Sequence, residues 1–382
     1  MKIAFLTPEY PHSKTCNSGG IGTSIKNLAV ALAKKNCLVT VIIYSQKESN
    51  VFEEDGVTIH LIGDRKYRFA KWFWHRKYIQ NYCNKIIKEQ NIDILEAPDW
   101  TGITAFMNLK APLVIRFHGS DTYFCHLEKR KQKIKNYWFE KLALKKAVAF
   151  IAPTTFAGAL SKKLFGIKNK TIQTIHYGLE LEKFENPHPE IYEKGLILYI
   201  GTIIRKKGVF ELPEIFNLVR QQHPEARLAL IGGDSSDIAT KSQSTWQLLQ
   251  EEFQESDRKQ VRYLGKIPYN EVQDYIKKAN ICLFPTFAET LGMVTIESMA
   301  MQKPVVNSNI GWANELIIDG ESGFLVHPEN HLEYAAKINS ILENDTIANQ
   351  IGKNARLQVE SLFDIEKIAD ENIRFYNSII SS

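Results

Sequence analysis

The sequence predicts an α/β protein of two Rossmann-like, doubly wound domains facing one another across a cleft. Short β-rich runs alternate with amphipathic segments along the chain, which is the rhythm of βαβ units and of parallel sheets covered on both faces. The rhythm restarts once, at LILYIG, Leu196 to Gly201. The length of 382 residues exceeds one comfortable core and suits two domains of roughly 180 residues each.

In chain order the first set reads KIAFLT, a helix over about residues 21–35, LVTVIIY, DILEA, LVIRFH, AFIAP and TIQTI. The second reads LILYIG, a helix over about 208–222, RLALIG, VRYLG, ICLF, KPVVN and GFLV. Between them HYGLELEKFENPHPEIYEKG is polar, carries two prolines and reads as a linker. The domains are therefore expected at 1–178 and 179–362. An amphipathic segment over 363–382 is expected to pack back on the first domain. Open sheets of this kind bind ligands at the carboxyl ends of their strands, so the loops there are where chemistry is sought.

Composition narrows the classes. Apolar residues at 44% and charged residues at 24% describe an ordinary globular chain. The five cysteines, Cys16, Cys37, Cys83, Cys125 and Cys282, are odd in number and never paired as C-x-x-C. Neither a disulfide framework nor a zinc site is indicated, and a reducing, cytoplasmic setting is expected. The opening MKIAFLTPEYPH is too short an apolar run for a signal peptide, and no stretch is long enough to span a membrane. Residues 1–178 carry 28 Lys and Arg against 13 acids, and the remainder 20 against 30. The basic half suggests an anionic partner; no zinc-finger or RNA-binding aromatic motif supports nucleic acid.

The most informative stretch is FPTFAETLGMVTIESMAMQKPVV, Phe284 to Val306. Glu289 falls in the loop after a buried strand, and Glu297 about a turn inside a helix beginning near Gly292 or Met293. Free N–H groups at Leu291, Gly292, Met293 and Val294 would face an anion, with the helix dipole favouring negative charge. Two carboxylates flank that position, ready to accept hydroxyl hydrogen bonds. A diphosphate between two hydroxyl-rich rings fits, which is a nucleotide sugar. Two solvated helix-face glutamates are the bland alternative.

Further candidates line the same ends of the strands. Gly19, Gly20 and Gly22 precede the first helix and allow close backbone approach to a phosphate, or form a purely structural loop. GTIIRKKG brings Thr202, Arg205, Lys206 and Lys207 to the top of the second sheet, where Lys207 and Arg205 could neutralise a departing diphosphate in place of a metal or remain solvated charges. His118 ends the strand LVIRFH and is followed by Gly119, Ser120 and Asp121. It reads as a sugar-hydroxyl partner, or as a satisfied core histidine. Asp99 and Trp100 offer a carboxylate and a ring to a sugar acceptor, and Asp121 is placed on the same acceptor side, with a helix N-cap by Asp99 as the alternative. No Asp-x-Asp pair suggests a metal. The run at 65–88 holds eight Lys or Arg, seven aromatics and no acid, and a second basic, aromatic run spans 129–146. Both suit an anionic membrane surface, or ordinary core aromatics beneath a solvated basic face.

These motifs, the GGIG loop, HGSD at His118, GTIIRKKG, FAETLGMVTIESMA, KPVV, IGWANELI and DGESGFLV, resemble retaining glycosyltransferases of the GT-B fold, most similar to glycosyltransferase family 4. The resemblance covers nearly the whole chain. It implies transfer of a sugar from a nucleotide diphosphate sugar, as co-substrate and with no cofactor, to a glycan or lipid-linked glycan. It makes 1–178 the acceptor side and 179–362 the nucleotide-sugar side, and places Glu289 on donor-sugar hydroxyls, Glu297 on the ribose, Lys207 on the diphosphate, His118 by the donor sugar and the Gly20 loop near the diphosphate. Relatives commonly carry arginine where this chain has Thr202, and Asn-Gly where it has Tyr177 and Gly178. A front-face, metal-independent mechanism is expected, with closure about Gly178 excluding water. An epimerase of related fold, or a silent nucleotide-sugar-binding partner, is the alternative. Peripheral attachment to the inner face of a membrane fits the basic surface.

Overall fold

The computed structural model describes residues 1–16 and 19–381. The chain divides into two units, Met1–Glu180 with Asp364–Ser382, and Leu181–Phe363. Ser382, the last residue of the expected C-terminal segment, lies outside the described residues.

The first unit runs β1 (Lys2–Thr7), α1 (Gly20–Lys34), β2 (Leu38–Gln46), β3 (Asn50–Glu54), β4 (Val57–Gly63), α2 (Lys71–Gln90), β5 (Ile94–Pro98), β6 (Leu113–Arg116), α3 (Asp121–Leu127), α4 (Ile134–Lys146), β7 (Ala149–Ala152), α5 (Thr155–Phe165) and β8 (Ile172–Thr174). The sheet order is β3-β4-β2-β1-β5-β6-β7-β8. All pairs are parallel except the β3–β4 hairpin. That hairpin was not among the expected runs, although its turn, Asp55-Gly56, has both φ angles positive (52° and 77°), the geometry that Asp-Gly favours in a tight hairpin. Strand order reverses at β1, so the loops after β1, β5 and β6 form the ligand-facing edge of this sheet.

The second unit runs β9 (Leu196–Ile200), α6 (Leu212–Gln222), β10 (Arg227–Ile231), α7 (Thr245–Glu252), α8 (Glu255–Arg258), β11 (Val261–Tyr263), α9 (Tyr269–Lys278), β12 (Ile281–Phe284), α10 (Met293–Ala300), β13 (Val305–Ser308), β14 (Phe324–Val326), α11 (His331–Glu343) and α12 (Asp345–Leu362). Its all-parallel sheet is ordered β11-β10-β9-β12-β13-β14, with the switch point at the carboxyl ends of β9 and β12. The helix expected from Gly208 begins later. Arg205–Lys207 and Val209–Glu211 are 3-10 turns, and α6 starts at Leu212 with Pro213 in its first turn, where a missing N–H costs nothing.

The C-terminal helix α13 (Ile365–Ile380) returns to the first unit and buries Ile365, Ile368, Ala369, Asn372, Phe375 and Tyr376, with α1 among its neighbours. Beneath it lies a buried polar knot. Arg116 grips Glu96 through Nε (2.7 Å) and Nη2 (3.0 Å), Nη2 also donates to Asn372 Oδ1 (2.6 Å), and Tyr376 Oη donates to Glu96 Oε2 (2.5 Å). Burial opposes the Arg116 charge, but the Glu96 carboxylate more than compensates and holds the guanidinium above its ordinary pKa.

Candidate functional site

In the second unit the site is assembled by one close approach. Gly208 has φ 68°, and a Cβ there would stand 1.7 Å from Pro285 O, so only glycine lets the turn after β9 lie against the loop after β12. The backbone N–H groups of Phe287 and Ala288 donate to Lys206 O at 2.9 and 3.1 Å. The two loops are thereby stapled together, and Lys207 Nζ donates to Glu289 Oε2. Burial pushes the Glu289 carboxyl up, but the Lys207 charge and hydrogen bond, helped by Lys206, overcome it and hold the group below its usual value. Glu289 is thus an ionised carboxylate on a preformed cation.

Four residues further on, at Met293, α10 begins. Its N-cap is Gly292, in the left-handed region at φ 97°, and no acidic side chain lies in its first turn. The N–H groups of its first turn have no carbonyl of a preceding turn to bond, and they are the groups that the sequence reading aims at an anion. Glu297 sits within α10 and is buried. Burial raises its carboxyl to about 7, offset in part by the hydroxyl of Tyr269, which donates to Oε1 at 2.6 Å. Tyr269, the first residue of α9, has its ring edge-on to Phe184. Nothing in the sequence pointed to it, because 28 residues separate it from Glu297.

Arg205 stands apart from this pair. Its guanidinium is clamped by Asp237, Nε to Oδ1 at 2.7 Å and Nη2 to Oδ2 at 3.0 Å, and lies over the Phe210 ring. The hydrogen bond from Arg205 outweighs burial and holds Asp237 at about 2. Asp237 also accepts from the backbone N–H and the hydroxyl of Thr240. Thr202 is exposed on the turn after β9.

In the first unit His118 follows β6 and is buried. Burial, with the charge of Arg116, drives its imidazole down to about 3, so the ring is neutral and can hydrogen-bond without carrying a charge. Its Nδ1 is 2.8 Å from Tyr177 Oη, and the two rings lie nearly parallel, 14° apart. The contact of Tyr177 with His118 was not foreseen from the sequence.

Two expectations need correction here. Asp99 does not present its carboxylate to an acceptor: it is 1% exposed, and Oδ1 accepts the His118 backbone N–H at 2.8 Å. Burial raises this carboxyl to about 7, against the opposing His118 hydrogen bond. Nor does it cap a helix with its side chain. Gly22 is a packing residue, since a Cβ would fall 2.9 Å from Glu9 O and Tyr10 Cα, and its N–H is taken by Glu9 Oε1 at 3.0 Å. At Gly20, by contrast, a Cβ would meet nothing within 4 Å. Asp121 is held within its own unit by Asn136 Nδ2 (3.0 Å) and Arg130 Nη2 (3.4 Å). Trp100 is 39% exposed on a 3-10 turn after β5.

The basic runs divide likewise. Phe69, Trp72 and Trp74 are exposed, but Arg76 is buried, donating to the carbonyls of Trp72, Thr101 and Gly102 beneath the Phe139 ring. Ile134 and Trp138 are exposed on α4. No helix among the described residues is long and apolar enough to cross a membrane. No group of three or more His, Cys, Asp or Glu among them is arranged to hold a metal ion.

Comparison with known proteins accounts for both units. The glycosyl transferases group 1 family matches residues 181–358, and glycosyltransferase family 4 matches residues 18–183. An uncharacterized glycosyltransferase of Methanocaldococcus jannaschii is 24% identical over 93% of this chain and 92% of its own. The capsular polysaccharide biosynthesis glycosyltransferase CapM of Staphylococcus aureus is 27% identical, the match spanning about half of either protein (53% of each). Among solved structures, sucrose-phosphate synthase from Thermosynechococcus elongatus superposes with a TM-score of 0.80 at 20% identity, covering 100% of this chain and 99% of the other. Anabaena HepE in complex with UDP and glucose gives 0.77 at 17% identity, covering 99% and 100%. The chain belongs to the retaining glycosyltransferases of group 1 and family 4, and it has their GT-B fold.

Proposed function

We propose that the protein transfers a sugar from a nucleoside diphosphate sugar to a hydroxyl of a glycan or lipid-linked glycan, with retention and without a metal ion. The observation that carries this reading is the Lys207–Glu289 pair, held by the stapled loops with Glu289 three residues before Gly292, the N-cap of α10. Lys207 and the N–H groups of Leu291 to Val294 suit a diphosphate, whose developing charge they would stabilise on departure. With the diphosphate on Lys207, the Glu289 carboxylate is left to accept donor-sugar hydroxyls. Glu297 is assigned to the ribose, and exposed Thr202 to the edge of the donor site. Arg205 is assigned to the phosphates only on release from Asp237. In the first unit neutral His118, its Nδ1 engaged by Tyr177, offers Nε2 to a sugar hydroxyl. Gly20 is assigned to the diphosphate and Trp100 to the acceptor, while Asp99 acts through the His118 backbone.

In the step itself the bond from the anomeric carbon to the leaving phosphate oxygen breaks. The acceptor oxygen bonds that carbon from the same face, and its proton passes to the departing phosphate oxygen. Glu289 is ion-paired and Glu297 is bonded to Tyr269, so neither is assigned as the nucleophile of a double displacement. The HepE complex with UDP and glucose makes UDP-glucose the first donor to try. The name of CapM makes a growing surface polysaccharide the first acceptor class. The basic, aromatic runs at 65–88 and 129–146 are assigned to an anionic membrane surface carrying such an acceptor.

The test is release of nucleoside diphosphate from a panel of nucleotide sugars, with and without a glycolipid extract and with a chelator present. Acceptor-stimulated release from one donor supports the reading. Donor binding with no release under any condition overturns it in favour of a silent binding partner.

A further inference from the structure

The first unit carries a concavity of about 370 Å3 whose lining includes Trp138, Lys141, Phe150, Phe165, Lys168 and Lys170. It lies near the amino ends of β7 and β8, opposite the strand ends that carry His118. Lys170 Nζ is pinned at its wall, donating to Ala147 O at 2.6 Å and Lys145 O at 3.0 Å, the residues leading into β7. Phe150 and Phe165 are buried and make an apolar floor, while Lys145 and Lys168 are exposed at the rim. On α4, Ile134, Trp138, Lys141 and Lys145 follow one another at helical spacing and form one stripe along the opening. Lys141 Nζ lies 5.8 Å from the Trp138 ring centroid.

The charge is one-sided. From Lys129 to Lys170 the chain holds twelve Lys or Arg and one acid, Glu140. That acid is buried and accepts from Asp121 N, Thr122 N and the Thr122 hydroxyl, so it does not neutralise the rim. The lining contains no carboxylate, amide or hydroxyl side chain. A sugar placed here would find ammonium donors but no side-chain acceptor for its own hydroxyls. A molecule with an apolar chain and an anionic head, an acceptor only, finds both of its needs met.

We propose that this groove binds one acidic phospholipid of a bilayer, its acyl chain against Phe150 and Phe165 and its phosphate among Lys141, Lys145 and Lys168. Trp138 and Ile134 lie at the headgroup level, where a ring and an aliphatic residue flanked by lysines are at home. The lipid is an anchor, not the acceptor, and the proposal deepens the reading that the enzyme works at an anionic membrane. Diffuse attraction is worth about 1 kcal/mol per lysine near such a surface, roughly fivefold in binding. A groove adds a saturable, position-specific part to that attraction.

The test is binding of the full chain to phosphatidylcholine vesicles with and without phosphatidylglycerol. The double substitution Lys145→Glu, Lys168→Glu is compared with Lys131→Glu, Lys135→Glu, which changes net charge equally at exposed positions of the neighbouring run. The groove predicts a loss at least tenfold greater for the first pair. It also predicts saturable one-site binding of a soluble short-chain phosphatidylglycerol, abolished in Trp138→Ala and not competed by free phosphate or UDP. Equal losses in the two double variants, or competition by free phosphate or nucleotide, overturns it. Nucleotide release in lipid-free buffer, measured on the native protein, reads the sugar-transfer assignment separately. Its failure beside intact lipid binding counts against transfer alone, and the reverse against the groove alone.

Discussion

The Tyr269 phenol donates a 2.6 Å hydrogen bond to Glu297, a buried carboxyl raised to about 7. Ribose hydroxyls are donors and need the carboxylate, so donor affinity is expected to rise as pH passes upward through that value. Tyr269→Phe removes the hydrogen bond that favours the charged form and shifts the midpoint of this rise to higher pH. Calorimetric titration of donor between about pH 5.5 and 8.5 reads the midpoint. Superimposable profiles for the two proteins would exclude this coupling.

Folding stability is expected to fall as pH rises from the ordinary carboxyl range towards 7. Glu297 and Asp99 are both raised to about 7 by burial, so across that window the folded chain holds protons that the unfolded chain has released. Denaturant unfolding at several pH values should show the decline, and Glu297→Gln and Asp99→Asn should each flatten part of it. A steeper profile in either variant contradicts the assignment.

Lys207→Ala removes the cation that holds Glu289 ionised and that would meet the leaving diphosphate. The expected loss in kcat/KM is 10²–10³-fold, about 3–4 kcal/mol of transition-state stabilisation, with a smaller effect on donor binding. Steady-state kinetics separates the two. A change confined to KM would reduce Lys207 to a ground-state contact.

Glu96→Ala leaves Arg116 buried without its charge partner and Tyr376 without its acceptor. The cost expected is about 3–5 kcal/mol, read by denaturant unfolding of the first unit. Tyr376→Phe, which removes only one hydrogen bond, should cost about 1 kcal/mol. Comparable costs for the two would mean that the ion pair is not what ties α13 to the sheet.

The strands and helices with regular periodicity were legible in the sequence, as were the return of α13 and the placing of Glu289 and Glu297 around one helix start. Local spacing carried these. The contacts made between distant segments were not legible: Tyr269 on Glu297, Asp237 on Arg205, Tyr177 on His118 and Glu9 on Gly22. Asp237, Tyr177 and Glu9 lie in irregular loops and Tyr269 opens a helix, so no period marks which way these side chains turn. Asp99 was misjudged for the same reason. A carboxylate after a strand reads as ligand-facing, but the backbone N–H of His118 claims it inside the fold.

The most direct test of the account is acceptor-stimulated release of nucleoside diphosphate by native protein and by Glu289→Gln, with donor binding measured in parallel. The account predicts release from a single nucleotide sugar, stimulated by acceptor, with turnover lost in the variant while donor still binds. Equal turnover in the two proteins would contradict the role given to the Lys207–Glu289 pair, and absence of release by native protein that binds donor would contradict sugar transfer itself.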